Sequence, residues 1–316
     1  MDYGHKQTTA RLIGLERRIK REYSKAYSEL KKQADEYFSR FEEKEREQIQ
    51  KWHNGEITYS DYIKWRDEQM RHGERYNQMI DDMARSMTTA NQSAMRMIDM
   101  SLNSTYGLNF NYAGYEVSDK MDMIFPFTLV DQKTIEKLLR EGTIHLPKPK
   151  VNVAKDLRWN RKKITSALTQ GILQGDSISK ISKRLQKVSD MNRSAAIRNA
   201  RTLTTGAENG GRLDRYKEAK AMGIPIKKKW EATLDNVTRD SHVDVDGEVQ
   251  DIDKPFSNGL DYPGGMGPPE EVYNCRCTMV SEIEKHKYSD ETRFKALGNM
   301  SYEEWKRERG SNGKRK

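Results

Sequence analysis

The sequence predicts a mainly α protein, with a long N-terminal helical hairpin and a small α+β C-terminal domain. Three observations carry that expectation. Leu12, Leu15, Ile19, Tyr23, Ala26, Leu30, Ala34, Tyr37 and Phe41 recur at spacings of three or four, which makes one face of a helix. Charged residues are 33% of the chain and hydrophobic ones 34%, a balance that suits long exposed helices better than one thick core. After Ile224 the helical spacing gives way to β-branched runs and turn residues. A length of 316 residues points to two or three domains.

Residues 1–103 are read as the hairpin. "HNGEITYSD" at 53–61 interrupts the first helix, with Asn54-Gly55 as the turn and Ser60 as an N-cap. The second helix carries Trp65, Tyr76, Met79, Met83, Met87 and Met97, either as the seam between the helices or as a face for another protein. Residues 104–150 mix short aromatic and β-branched runs with Gly and Pro, which predicts an irregular or β-containing connector. Residues 151–225 form a basic helical region that Gly223 and Pro225 terminate. Residues 226–284 read as the small α+β domain, with an Asp246-Gly247 turn, and 285–316 as a basic, partly disordered tail. The first residues lack the apolar core of a secretory signal. No apolar run approaches the roughly 18 residues of a membrane span, so the expected setting is reducing and aqueous, without membrane contact.

The net charge of +9 is unevenly placed. Residues 147–229 carry 21 Lys+Arg against 6 Asp+Glu, whereas residues 230–284 carry 3 against 13. Such a basic block meets either a polyanion such as DNA or the acidic block of its own chain. On a straight helix Arg198, Arg201, Arg212 and Arg215 share an arc of about 100°, an arginine ridge for nucleic acid unless Gly206, Gly210 and Gly211 break the helix.

The two cysteines of the chain, Cys275 and Cys277, stand one residue apart in "VYNCRCTMV". In a strand, side chains alternate, so both sulfurs face one side and Arg276 the other, where it is free to pair with the acidic segment or a partner. Upstream lie His242 and the carboxylates Asp235, Asp240, Asp244 and Asp246. Two thiolates, an imidazole and a carboxylate or water make a tetrahedral zinc set, with Asp235 the expected fourth ligand and Asp246 its rival. The competing reading is two ordinary buried cysteines. His286, in "EKHKY", reads as a solvated histidine rather than a ligand. No phosphate loop, His-Glu-x-x-His or Gly-x-Ser-x-Gly motif is present.

"KKWEATLDNVTRDSHVDVDG", a Phe-containing spacer, a Pro-Gly loop and "NCRC" resemble the C-terminal domain of the phage Mu protein F-like family, minor head proteins of tailed double-stranded DNA phages. The matching positions are Trp230, Asp235, Thr238, Arg239, His242, Gly247, Phe256, Pro263, Asn274, Cys275, Arg276 and Cys277, within roughly residues 190–283. "RNARTLTTGAENGGR" fits as well, and "YSDYIKW" resembles minor capsid proteins of phages of Gram-positive hosts. The resemblance implies a virion component active in head morphogenesis and assembled in the bacterial host cytoplasm. Its implied partners are the portal, the major capsid or scaffolding protein, and packaged double-stranded DNA bound non-specifically. It also implies metal binding, read as a structural zinc, on the His and Cys residues. It leaves enzymatic activity open, and because no complete catalytic signature is present the expectation is a non-enzyme. The alternative is a metal-dependent, nuclease-like enzyme using His242 and the nearby aspartates.

Overall fold

A computed structural model describes residues 1–69, 73–144, 146–174, 176–285 and 294–312. The elements run α1 (Tyr3–His53), α2 (Tyr59–Asp67), α3 (Glu74–Met121), α4 (Gln132–Arg140), α5 (Val153–Leu173), α6 (Ile178–Ala221), β1 (Ile226–Glu231), α7 (Asp240–Asp244), β2 (Val249–Asp251), α8 (Pro269–Val272), β3 (Thr278–Ile283) and α9 (Tyr302–Asn312). The protein is mainly α, with long N-terminal helices and one small sheet. Two compact units divide it: residues 17–96 with 150–197, and residues 1–16, 97–149 and 198–316. No helix among the described residues is long and apolar enough to cross a membrane.

The first unit is all helix. The stripe on α1 is buried at Ile19, Tyr23, Ala26, Leu30, Ala34 and Phe41, but its slot between Ala34 and Phe41 belongs to Phe38. Tyr37 sits at the rim and donates its hydroxyl to the Gln69 carbonyl at 2.6 Å. Met79, Met83 and Met87 are buried, so the methionine stripe is core. The turn after α1 places Gly55 at φ 76°, and Thr58, not Ser60, caps α2, in a reciprocal box with Asp61. A polar ladder threads four helices. Asn160 donates to Thr88 at 3.0 Å, Asn192 to Asn160 at 3.0 Å, Asn91 to Asn192 at 3.0 Å, and Tyr23 to Asn91 at 2.8 Å. A chain in which each amide is satisfied fixes the register of α1, α3, α5 and α6.

The second unit holds the sheet, antiparallel throughout, in the order β2-β1-β3. The region expected as an irregular or β connector is helical up to Met121, and α4 follows. Tyr106, Asn109, Ala113 and Val117 bury one face of α3 there, and that packing overrides the weak helix propensity of the Gly, Asn and aromatic residues. Within the expected basic tail, α9 forms and buries Tyr302 and Trp305. Helix α6 stays continuous through Gly206, Gly210 and Gly211. A Cβ at Gly211 would lie 2.6 Å from the Tyr106 carbonyl, and one at Gly206 would lie 2.8 Å from that of Gly264. These glycines let α3 and the Pro-Gly loop touch the helix backbone.

Candidate metal centre

One face of α6 grips the extended chain ahead of β3. The Thr202 hydroxyl accepts the Asn274 N–H at 3.0 Å, and the Thr205 hydroxyl donates to the Cys275 carbonyl at 2.6 Å. Asn209 donates to the Cys277 carbonyl at 3.2 Å and accepts the Met279 N–H at 3.0 Å. The spacing 202, 205, 209 is helical, so one helix face meets successive residues of an extended segment. Asn274 enters with φ 58°, and Cys275 and Cys277 are both buried. They precede β3 rather than lying in it, yet they keep strand alternation: Arg276 turns the opposite way and holds both oxygens of Asp235, at 2.6 and 2.8 Å.

His242 comes from α7, where a strand-and-loop segment was expected. Trp230 of β1 packs edge-on against its ring, with centroids 5.3 Å apart at 71°. His242 Nδ1 lies 3.4 Å from Cys277 Sγ and 3.8 Å from Cys275 Sγ. The three donor atoms lie within 4.8 Å of one another, the one such His/Cys/carboxylate group among the described residues. Zinc bonds of about 2.3 Å to sulfur and about 2.05 Å to nitrogen, at tetrahedral angles, place S and N about 3.5 Å apart. The two observed N–S separations, 3.4 and 3.8 Å, lie on either side of that value.

The electrostatics suit a soft cation. A hydrogen bond from Cys275, opposed by burial and helped by His242, takes the Cys277 thiol down to about 4. The same Cys277 contact, with burial, drives Cys275 up. Burial disfavours the His242 imidazolium, but Cys277 outweighs it and raises the imidazole. Ionisation is thus favoured at Cys277, and holding a metal would require both thiols and Nδ1 to be deprotonated.

Several expected site residues lie elsewhere. Asp235 stands outside the donor set: the Arg276 pair, reinforced by the Val237 N–H, holds its exposed carboxyl well below the ordinary carboxylate range. Asp246 accepts the Ala232 N–H at 2.8 Å and stands outside the donor set, while Gly247 beside it has φ 78°. His286 lies outside the described residues. The arginine ridge is not a surface. Arg212 and Arg215 are fully buried, Arg201 pairs with Glu16 at 2.7 Å, and Arg198 stands over the Tyr273 ring. Arg215 is enclosed between Phe110 and Phe127, and burial lowers it to about 10. Sequence reasoning also missed Glu271, whose Oε2 lies 3.1 Å from His242 Nε2. Thr205 and Asn209 were equally missed, and Thr202 was read only as part of the family motif, although their spacing of three and four was open to inspection.

Residues 162–280 match the family described as phage Mu protein F like protein. Over that region the chain is similar to the phage Mu protein F-like family. The Mu F-like region therefore contains the whole centre, from the α6 grip to the cysteines. The chain is 22% identical to the minor head protein GP7 of Bacillus phage SPP1, covering 85% of this chain and 82% of that protein. It is 33% identical to the NAD(+)--arginine ADP-ribosyltransferase EFV of Enterococcus faecalis over 45% of this chain, but spans only 30% of that protein. Against the uncharacterized protein YqbB of Bacillus subtilis the identity is 24%, over 53% of this chain and 54% of YqbB. No solved structure matches the chain significantly.

Proposed function

We propose that this chain is a minor head protein of a tailed phage, built into the virion during head morphogenesis in the bacterial host cytoplasm. The observation that carries the reading is the similarity to the SPP1 minor head protein over most of both chains. The Mu F-like region then serves as a compact structural module around one zinc, held by His242, Cys275 and Cys277 and closed by a water. The metal supplies cross-linking where the surrounding core is small: Trp230, Val245, Phe256 and Leu260 beside the two cysteines. The long helices supply surfaces for the portal or the major capsid or scaffolding protein.

Contact with packaged DNA falls to α5 in this reading. Arg158, Arg161 and Lys162 line an open groove there with Thr165, Ser166 and Thr169. Cations and hydroxyls of this kind hold phosphates without reading sequence. Fractionated particles test the main reading: the chain is expected in purified, tail-free heads, and its absence from them overturns the assignment.

One observation favours a second reading, a metal-dependent enzyme acting on nucleic acid. A cavity of about 10 Å³, bordered by Thr238, Arg239 and the three donors, has room for about one water. Zinc on three protein ligands with a water is also the arrangement of catalytic sites. Nicking of plasmid DNA by the purified chain, lost in His242→Ala, would establish that reading.

A further inference from the structure

We infer that Glu271 is the positioning carboxylate of the His242 centre, setting the imidazole tautomer and tightening metal binding. The inference rests on the metal reading above and extends it to a residue outside the donor set.

The geometry leaves the ring little choice. His242 is buried, and Trp230 packs edge-on against its ring. Nδ1 faces both sulfurs, so Nδ1 must offer its lone pair to a metal. The ring proton then belongs on Nε2. That atom is buried and makes no hydrogen bond of good geometry, and Glu271 Oε2 stands 3.1 Å from it. A carboxylate there favours the Nε2–H tautomer and increases the basicity of Nδ1. Glu271 is itself held: the Ser241 hydroxyl donates to the same Oε2 at 3.0 Å, from the residue preceding the ligand. Ser241 and His242 on α7 thus share one carboxylate carried by α8. Without Glu271, Nε2–H is a buried donor with nothing opposite. The Nδ1–H tautomer, hydrogen-bonded to Cys277, then competes with the metal.

The test is zinc affinity of the full chain, by competition with a chromophoric chelator, alongside the spectrum of the cobalt form. Glu271→Ala is expected to bind one zinc per chain about 10–100-fold more weakly, with thiolate-to-cobalt absorption unchanged because both sulfurs remain. Ser241→Ala, which keeps the carboxylate beside Nε2, should stay within about threefold of wild type. Glu271→Gln covers the case in which the alanine variant fails to fold. Its amide keeps the size of the carboxylate but carries no charge, so intermediate weakening is expected. Affinities of the glutamate variants within threefold of wild type overturn the inference alone. A wild-type chain that takes up neither zinc nor cobalt overturns the metal reading, and the inference with it.

Discussion

The guanidinium of Arg212 is fully buried and holds both carboxylate oxygens of Asp2, 210 residues away, at 2.6 and 2.8 Å. Glu208 and Glu116 stand 3.7 and 4.0 Å from the same group, and its Nη1 also donates to the Met279 carbonyl at 3.0 Å. A residue that by charge alone belongs to a DNA-binding ridge is thus the hub that ties the start of α1 to α6 and β3.

Arg212→Ala should therefore act on stability. It leaves three carboxylates around an empty slot, and breaking a buried pair in this way costs about 3–5 kcal/mol. Urea unfolding measures the loss. A variant of wild-type stability with reduced affinity for DNA would return Arg212 to the nucleic-acid surface.

DNA affinity should follow α5. Replacing Arg158, Arg161 and Lys162 with alanine should weaken binding about equally for unrelated sequences and reduce the slope of log affinity against log salt by about three. Arg161 also pairs with Asp81 at 2.5 Å, so its share is the smallest of the three. Binding and salt slope unchanged in the triple variant would remove this groove from consideration.

His5 gives a pH signature. Burial alone would keep its ring neutral, but Glu208 Oε1 at 2.8 Å outweighs that and raises its folded-state value. A raised histidine stabilises fully below its unfolded value of about 6.5, and that contribution is lost as pH rises through the folded-state value. The thermal midpoint of the wild type should drop relative to His5→Gln as pH is raised above about 6.5. Parallel pH profiles for the two proteins would show that the pair contributes nothing through titration.

The sequence made the long helices legible because their apolar spacing is local, and the cysteine pair legible because strand alternation is local too. It misled where packing decides. "STYGLNFNYAG" has the composition of a connector, yet it is helix because Tyr106, Asn109 and Ala113 find a core to face. Arg212 and Arg215 look like surface charge until Asp2, Phe110 and Phe127, distant in sequence, are brought to them. His242 was legible as the companion of the cysteines by its chemistry, whereas Asp235 stands outside the donor set because Arg276, between the cysteines, pairs with it on the outer side. Glu271 gave no local signal at all, since its relation to His242 exists only after the Pro-Gly loop has folded back.

Metal removal should have a local effect. A metal on His242, Cys275 and Cys277 would join α7 to the segment before β3, beside a small core of Trp230, Val245, Phe256 and Leu260. Chelation should speed backbone hydrogen exchange over residues 226–283 while leaving exchange in α1 unchanged, because α1 has its own buried stripe at Ile19, Tyr23 and Leu30. Cys277→Ser should reproduce the chelated state and bind no zinc at concentrations that saturate wild type. Cys275→Ser should do the same, since either change leaves two protein ligands. Asp235→Asn should retain the metal, because that carboxylate serves Arg276 rather than the donor set. Loss of zinc in Asp235→Asn, with both cysteines intact, would show that Asp235 leaves Arg276 to complete the tetrahedron when the metal binds.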